Sequence, residues 1–322
     1  MTEASRGAGD ARLRVDPIFA PLEHPPAAPV EEPTRAAALA LRAVLDTELP
    51  IAFSGSAPAP DVVRDEATAR AEDGSSLAMR WYRRGADRPG SAVVFFHGGG
   101  LVGGSVRAYD AFVAQHVQWT GVPLLAVEYR RAPDVRGETP ARDGLCALQW
   151  LLANALRLGV DPRRIAVMGD SAGGGIAAGV ALLARDHGIR LRQQILIFPM
   201  LDDRTVQPDP ALDGVTTWSH AENRLGWWAL LGDRAGGGHV TPVEAPARLR
   251  DARGVAPAYI EVGSLDIFRD EDVAYASLLW RSGVEAELHV HPGAPHGYDS
   301  LALDSAFARR WRADRTRVLL AL

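Results

Sequence analysis

Lysine is absent from the 322-residue chain, and cysteine occurs once, as Cys146. The missing lysine excludes every mechanism that depends on a lysine side chain. A single cysteine can form neither an intramolecular disulfide nor a cysteine metal cluster. Cys146 lies in the apolar helical pattern GLCALQWLLANAL, which predicts a small residue packed in the core.

The chain also lacks an excess of positive charge and any long apolar run. Its formal net charge is −5 at pH 7, so it shows no basic footprint for nucleic acid or for an anionic membrane. No run of about 18 apolar residues occurs. The N-terminal sequence shows no basic-then-apolar signal segment. We therefore expect a cytoplasmic protein with no nucleic-acid partner and no stable membrane association.

Short apolar runs alternate with segments of helical period along most of the chain. Seven runs are typical of strands: SLAMRWYRR, AVVFFH, PLLAVEYR, RIAVMG, QQILIFP, AYIEVG and AELHVH. Helical patterns cover PTRAAALALRAVLDTEL and residues 109–120, 140–158, 172–187, 271–281 and 304–320. This alternation predicts a mostly parallel sheet that is covered by helices on both faces.

One connection is much longer than the others. Residues 201–257 separate ILIFPM from AYIEVG and contain the aromatic helical stretch TTWSHAENRLGWWALLGD. An insertion of this length predicts a lid or cap, on which the N-terminal helix is expected to pack. Trp218, Trp227 and Trp228 in this stretch either line an acyl pocket or pack in the core, which is the commoner role of aromatic residues spaced along a helix.

A serine among glycines follows one of the predicted strands. GDSAG, residues 169–173, fits Gly-x-Ser-x-Gly between the strand that ends at Met168 and a helix that begins at Ala172. This context predicts that Ser171 is a nucleophile on a tight turn and that the Ala172 N–H faces a developing oxyanion. The alternatives are an ordinary glycine-rich turn and a phosphate-binding loop, but the glycine and lysine spacing of phosphate loops is missing.

A glycine triplet, in FFHGGG, follows the predicted strand AVVFF. Successive glycines expose backbone N–H groups, as the second half of an oxyanion hole requires. We predict that Gly98 and Gly99 are the donors and that His97 supports the loop by hydrogen bonding. The alternative is a flexible surface turn.

A serine nucleophile needs a base, and nine histidines are available. His296 lies in the loop HPGAPHGYD after the last strand, and it is preferred because Ser…Asp…His is the chain order of one particular α/β fold. The orienting acid is then expected just past the preceding strand, at Asp266. Asp202 and Asp203, after the strand before that, are rival candidates for the acid.

Six motifs in this order resemble the hormone-sensitive-lipase-like family of α/β-hydrolases, the bacterial carboxylesterases with an HGGG loop. They are HGGG at 97–100, EYRRAP at 128–133, GDSAGG at 169–174, PMLDD at 199–203, SLDIFRDED at 264–272 and PHGY at 295–298. The departures are Arg131, where the family more often has Leu, and Tyr298, where Phe is common.

The resemblance implies an α/β-hydrolase fold with an eight-stranded, mostly parallel sheet, helices on both faces and a helical cap. The implied parts are N-terminal cap helices in 1–55, a cap insertion in 203–250, and a catalytic domain in 56–202 and 251–322. The implied site is the triad Ser171, Asp266 and His296, with an oxyanion bound by the N–H groups of Gly98, Gly99 and Ala172.

For function, the resemblance implies a serine carboxylesterase that hydrolyses short- to medium-chain esters through an acyl-enzyme. A small-molecule ester is its expected partner, no metal or organic cofactor is required, and a homodimer is an expectation because dimers are common in the family. One alternative is an amidase or deacetylase with the same triad. Another is a non-catalytic small-molecule receptor, which exists on this scaffold in plants with loss of the catalytic histidine.

Overall fold

A computed structural model describes residues 13–20, 32–85, 90–212 and 214–322. Eight strands form one sheet in it: β1 (Val62–Arg70), β2 (Ser76–Arg84), β3 (Gly90–Phe96), β4 (Leu124–Val127), β5 (Val160–Asp170), β6 (Gln194–Ile197), β7 (Ala258–Leu265) and β8 (Ala286–Pro295). Their order across the sheet is β1-β2-β4-β3-β5-β6-β7-β8. β2 pairs antiparallel with β1 and β4, and the other five pairs are parallel. The predicted eight-stranded, mostly parallel sheet is confirmed.

Helices cover both faces of the sheet, as predicted. The α-helices of the described residues are α1 (Arg35–Ala52), α2 (Asp110–Thr120), α3 (Thr139–Leu158), α4 (Ala172–Asp186), α5 (His220–Leu231), α6 (Arg269–Arg281) and α7 (Ala306–Leu320). Two apolar clusters result, one with α3, α4 and α6 and the other with α2 and α7. None of the helices in the described ranges has the length and apolar character needed to cross a bilayer.

The central strands are apolar throughout because both of their faces are buried. On β3, Val94 and Phe96 pack toward α3 and α4, whereas Val93 and Phe95 pack toward α2 and α7. A strand covered on both faces has no polar alternation. The run AVVFF is therefore continuously apolar, since it lies at the centre of the sheet.

β1 is the strand that no sequence pattern predicted. Its sequence VVRDEATAR buries Val62 and Ala69, while most of the residues between them are exposed. Charged side chains connect it to β2, for example Arg80 Nε to Glu66 Oε1 at 2.6 Å. The side-chain contacts of this edge strand are largely ion pairs, and neither of its faces is fully buried. Its sequence therefore shows no apolar periodicity.

Cys146 on α3 differs from its prediction as a core residue. Its side chain is half-buried, and its Sγ donates a hydrogen bond to the Arg70 carbonyl at 2.8 Å. The α3 helix covers β1 and β2 near the edge of the sheet, where burial is incomplete. The apolar helical pattern was right, but it could not indicate how far the sheet extends beyond the helix.

The two predicted cap segments meet in the structure, because α1 packs against α5. The described part of the N-terminal segment is residues 13–20 and 32–55; residues 1–12 and 21–31 lie outside the described residues, as does residue 213 of the insertion. The division of the chain into cap and catalytic domain stays a prediction.

Candidate active site

Ser171 forms the turn between β5 and α4, with backbone angles φ 53° and ψ −123°. A positive φ at a residue with a side chain is strained, and such strain persists only where neighbouring structure enforces it. Close backbone approach enforces it here. A Cβ on Gly169 would lie 2.2 Å from the Gly173 carbonyl oxygen, and one on Gly173 would lie 2.1 Å from the Phe96 carbonyl oxygen. The turn therefore requires glycine on both sides of the serine.

Ser171, His296 and Asp266 form a continuous hydrogen-bonded series. His296 Nε2 lies 2.9 Å from Ser171 Oγ, and His296 Nδ1 lies 2.7 Å from Asp266 Oδ2. Asp266 is buried, and its other oxygen accepts a hydrogen bond from the Phe268 N–H at 2.9 Å. An ionised carboxylate accepts only, so Nδ1 carries the proton and Nε2 is free to accept from the serine hydroxyl. A base in this form can activate the hydroxyl.

The imidazole of His296 is held from several sides. The rings of Phe198 and Phe268 meet it edge-on at centroid distances of 4.8 and 5.1 Å, and Thr217 Oγ1 donates to its carbonyl at 2.5 Å. Burial disfavours the protonated ring, but the charge and hydrogen bond of Asp266 outweigh this and raise the pKa of His296 above its ordinary value. The acid is therefore placed to stabilise an imidazolium.

The rival acids lie in ion pairs of their own. Asp202 pairs with Arg204 at 2.7 Å, and Asp203 pairs with Arg248 at 2.7 Å. The imidazole of His296 accepts from Ser171 Oγ and donates to the Asp266 carboxylate. The geometry therefore favours Asp266 among the three candidates.

The HGGG loop, here residues 97–106, follows β3 and lies beside Ser171. His97 Nδ1 donates to the Gly98 carbonyl at 2.8 Å, and burial lowers the pKa of His97 to about 3, so the ring is neutral. Tyr129 donates its hydroxyl to the His97 carbonyl at 2.7 Å. Gly98 itself has no room for a side chain, since a Cβ there would lie 2.6 Å from Asp170 Oδ2. His97 thus forms a hydrogen bond within the loop, and its supporting role, like the roles of Gly98, Gly99 and Ala172 as oxyanion donors, stays a prediction.

A cavity of about 200 Å³ opens beside Ser171. Leu45 and Leu49 of α1 form one wall, and Phe198 and Trp218 lie across from them. The three predicted pocket tryptophans separate here. Trp218 lines this cavity, Trp227 is fully buried beside a separate void of about 10 Å³ behind Ala172, and Trp228 lies under the Arg136 guanidinium at 5.7 Å.

Sequence reasoning missed a buried polar network next to Ser171 and His296. Tyr109 donates to Asp170 Oδ2 at 2.7 Å, and burial together with nearby Asp299 raises the pKa of Asp170 to about 7. Arg315 of α7 is fully buried and pairs with Asp299 at 2.7 Å and with Glu261. Asp170 lies inside GDSAG and Asp299 directly follows PHGY, so the motifs could have pointed to both residues. No motif in the sequence includes Arg315.

A group that could share a cation lies elsewhere in the described residues. Ligand atoms of Glu287, His289 and Asp314 lie within 4.8 Å of one another, at the junction of β8 and α7. Arg317 forms an ion pair with Glu287 and lies 3.7 Å from Asp314. Its guanidinium therefore already pairs with both carboxylates of this group.

Gly175, which directly follows GDSAGG, is required by packing. A Cβ on Gly175 would lie 2.1 Å from the Met200 carbonyl oxygen, and the N–H of Met200 bonds the Ser171 carbonyl at 2.9 Å. The first turn of α4 therefore packs directly on the backbone that follows β6. Gly175 holds the strand-to-helix turn against the neighbouring strand.

We expect Gly175→Ala to lower the free energy of unfolding by roughly 1–3 kcal/mol, because backbone must move to admit the methyl group. Gly238→Ala is the matched control, since a Cβ there meets nothing within 4 Å, and it should change stability by less than about 0.5 kcal/mol. Urea unfolding followed by circular dichroism measures both. Equal stabilities for the two variants would contradict the packing argument.

The sheet order, the strained serine between strand and helix, and the acid–histidine–serine series define an α/β-hydrolase-fold protein. A family model described as alpha/beta hydrolase fold matches residues 93–300, and the chain belongs to this family.

Similar proteins agree with that assignment. The chain is 34% identical over 251 residues to an ethyl acetate hydrolase of Pseudomonas putida, covering 76% of this chain and 78% of the relative. It is 35% identical over 219 residues to the carboxylesterase NlhH of Mycobacterium tuberculosis, covering 66% and 67%. Among solved structures, a bacterial heroin esterase matches with a TM-score of 0.85 and 32% identity over 95% of this chain and 97% of that one. The resemblance to hormone-sensitive-lipase-like carboxylesterases is confirmed.

Proposed function

We propose that this chain hydrolyses small carboxylic esters through a covalent acyl-enzyme on Ser171. The observation that carries the proposal is the series from Ser171 Oγ to His296 Nε2 at 2.9 Å and from His296 Nδ1 to Asp266 at 2.7 Å. The family membership and the esterase names of the relatives support the class of reaction.

In the proposed reaction, His296 Nε2 takes the serine proton while Ser171 Oγ attacks the ester carbonyl. The resulting oxyanion is bound by the N–H groups of Gly98, Gly99 and Ala172. The imidazolium, stabilised by Asp266, then gives its proton to the departing alcohol. A water molecule attacks the acyl-enzyme with the same base, and the carboxylic acid leaves.

The size of the cavity supports short- to medium-chain substrates. A volume of about 200 Å³ lies below the 300–1,000 Å³ that is usual for sites of drug-sized ligands. Its α1 wall contains the apolar side chains of Leu45, Leu49 and Ala52 beside Glu48, and the apolar part of this wall suits an alkyl group. A small, partly apolar ester therefore fits this site better than a long-chain lipid.

The two alternatives use the same residues differently. An amidase or deacetylase would need the same nucleophile and base, but it must also expel an amine, which is the poorer leaving group. A non-catalytic receptor would not need a base bonded to the serine, and His296 bonds Ser171 here. This contact favours catalysis over simple binding.

The test combines covalent labelling with a substrate panel. Diethyl p-nitrophenyl phosphate should transfer its diethylphosphoryl group to Ser171 Oγ and release p-nitrophenolate. One equivalent of the reagent should abolish activity, and peptide mass spectrometry can locate the labelled residue. Among p-nitrophenyl esters, acetate and butyrate should exceed laurate in kcat/KM, and p-nitroacetanilide should be the poorest substrate. A label on another residue would contradict the mechanism, and preference for the anilide would favour the amidase.

The raised pKa of His296 predicts the acid side of the pH profile. Since the base must be neutral to accept the serine proton, activity should fall as pH drops through the pKa of His296, which lies above the ordinary 6.5. The midpoint of kcat/KM against pH for ethyl acetate, followed by titration of the released acid, should therefore lie above 6.5. A midpoint at or below that value would contradict the stabilising effect of Asp266.

A further inference from the structure

The EYRRAP segment, residues 128–133, surrounds the HGGG loop with side chains. Glu128 Oε2 accepts from the Val106 N–H at 2.8 Å, Tyr129 donates to the His97 carbonyl at 2.7 Å, and Arg131 Nη1 donates to the Gly104 carbonyl at 2.5 Å. The loop is therefore held at its first residue, at Gly104 and at its last residue by one short segment after β4. Of these three contacts, only the one made by Arg131 also involves the cap.

Arg131 and Asp46 together bind both backbone groups of Gly104. Arg131 Nη1 lies 3.1 Å from Asp46 Oδ1, and the same carboxylate oxygen accepts from the Gly104 N–H at 2.9 Å. Arg131 also donates to the Gly104 carbonyl, so Arg131, Asp46 and the backbone of Gly104 form a closed ring of hydrogen bonds. Asp46 belongs to α1, so this group joins the cap helix to the loop.

Gly104 in turn rests on the predicted oxyanion donors. A Cβ on Gly104 would lie 2.2 Å from the Gly98 carbonyl oxygen and 2.7 Å from His97 Nδ1. Gly104 therefore packs directly against the hydrogen bond between His97 Nδ1 and the Gly98 carbonyl. A shift of Gly104 must change the orientation of the Gly98 peptide, because closely packed backbone has no free space to absorb it.

The α1 helix also forms a wall of the cavity. Its Leu45 touches the loop, since a Cβ on Gly103 would lie 2.7 Å from Leu45 Cβ, and Leu45, Leu49 and Ala52 line the space beside Ser171. Arg42 adds bonds from its guanidinium to the Val102 and Ala132 carbonyls at 2.7 and 2.6 Å. Helix and loop therefore form one packed unit.

We propose that Asp46 and Arg131 are positioning residues that hold the Gly98 and Gly99 peptides in the orientation needed to bind the oxyanion. The inference rests on the proposed ester hydrolysis. This role differs from shaping the cavity wall. Every ester uses the oxyanion contact, so its loss should lower kcat for all esters, whereas a change in the wall should affect larger substrates more than small ones.

The experiment compares Asp46→Asn, Arg131→Leu, Arg131→Lys and the double variant Asp46→Asn/Arg131→Leu on p-nitrophenyl acetate and p-nitrophenyl octanoate. Each of the two singles, Asp46→Asn and Arg131→Leu, should lose about tenfold in kcat on both esters, since small displacements of positioned groups cost this much or more. The double variant should be no worse than Arg131→Leu, as expected for coupled residues. Arg131→Lys should recover part of the loss.

Arg35→Gln is the matched control. Arg35 pairs with Asp134 at 3.0 Å at the start of α1, so it anchors the same helix without touching the HGGG loop, and its loss should change kcat by less than about twofold. The proposal is overturned if Asp46→Asn and Arg131→Leu behave like Arg35→Gln, if their losses add in the double variant, or if the octanoate alone is affected.

Two further measurements separate this inference from the proposed function. Ester turnover that persists in Ser171→Ala would overturn the proposed function, while hydrogen exchange of the 98–106 amides in Asp46→Asn reports on the loop without any substrate. Faster exchange there, with an unchanged unfolding transition, supports the positioning role, and unchanged exchange overturns it. If Arg131→Leu fails to fold, Asp46→Asn is the deciding variant, because its side chain is 40% exposed.

Discussion

Ser171→Ala is expected to lower kcat for p-nitrophenyl acetate by at least about 10⁴-fold while leaving the fold intact. The substitution removes Oγ, the atom 2.9 Å from His296 Nε2, and no acyl-enzyme can then form at this position. It keeps the Cβ, so the strained backbone at φ 53° meets the same neighbours as before. Initial rates measure the loss, and urea unfolding measures the fold.

Ser54→Ala is the matched control for this variant. Ser54 is an exposed serine just past the end of α1, where its hydroxyl donates to the Ile51 carbonyl at 2.6 Å. Its loss should leave kcat within about twofold, because surface substitutions away from a site have small effects. Turnover in Ser171→Ala close to that of Ser54→Ala would rule out Ser171 as the nucleophile.

The parts of the site that the sequence predicted are those with a local signal or a fixed chain order. The turn at Ser171 is built from a strand and a helix that are adjacent in sequence, and its glycines are needed for contacts within the turn itself. Asp266 and His296 follow two neighbouring parallel strands, whose carboxyl ends share one edge of the sheet. Strand order alone therefore brings them to the serine.

The parts that could not be predicted depend on distant partners. Asp46 and Arg131 are 85 residues apart, and although Arg131 lies in EYRRAP, neither segment indicates that the two side chains pair. Gly175 is needed because of the Met200 carbonyl in the segment after β6. Neither contact leaves a periodicity or a motif in the sequence, since both arise only when the sheet has assembled.

The three tryptophans of the long insertion show the same limit of sequence-based prediction. The sequence predicted all three in one aromatic helical stretch, but only Trp227 and Trp228 lie on α5 and Trp218 precedes it. The spacing could not indicate which tryptophan faces Ser171, because α5 packs both on α1 and on the apolar core. Only Trp218, which precedes the helix and packs on Gly100, reaches the cavity.

Asp266→Asn is expected to lower kcat by about 10⁴-fold, the second large effect. An amide at 266 carries no charge and can no longer stabilise the imidazolium. Its NH2 group can also donate to Nδ1, which favours the tautomer with the proton on Nε2, and that tautomer cannot accept the serine proton. The pKa of His296 should also fall, because the charge that raises it is gone. In the residual activity, the acid-side midpoint should therefore move to lower pH than in the parent.

Asp202→Asn is the comparison that decides between the acids. Its carboxylate pairs with the half-exposed Arg204 at 2.7 Å, so its loss should change kcat by less than about threefold and leave the pH midpoint in place. Both variants remove one negative charge and keep the side-chain shape, which removes net charge as an explanation of any difference. An equal or greater loss in Asp202→Asn would assign the acid to the segment after β6, and the bond between His296 and Asp266 would then be a structural contact only.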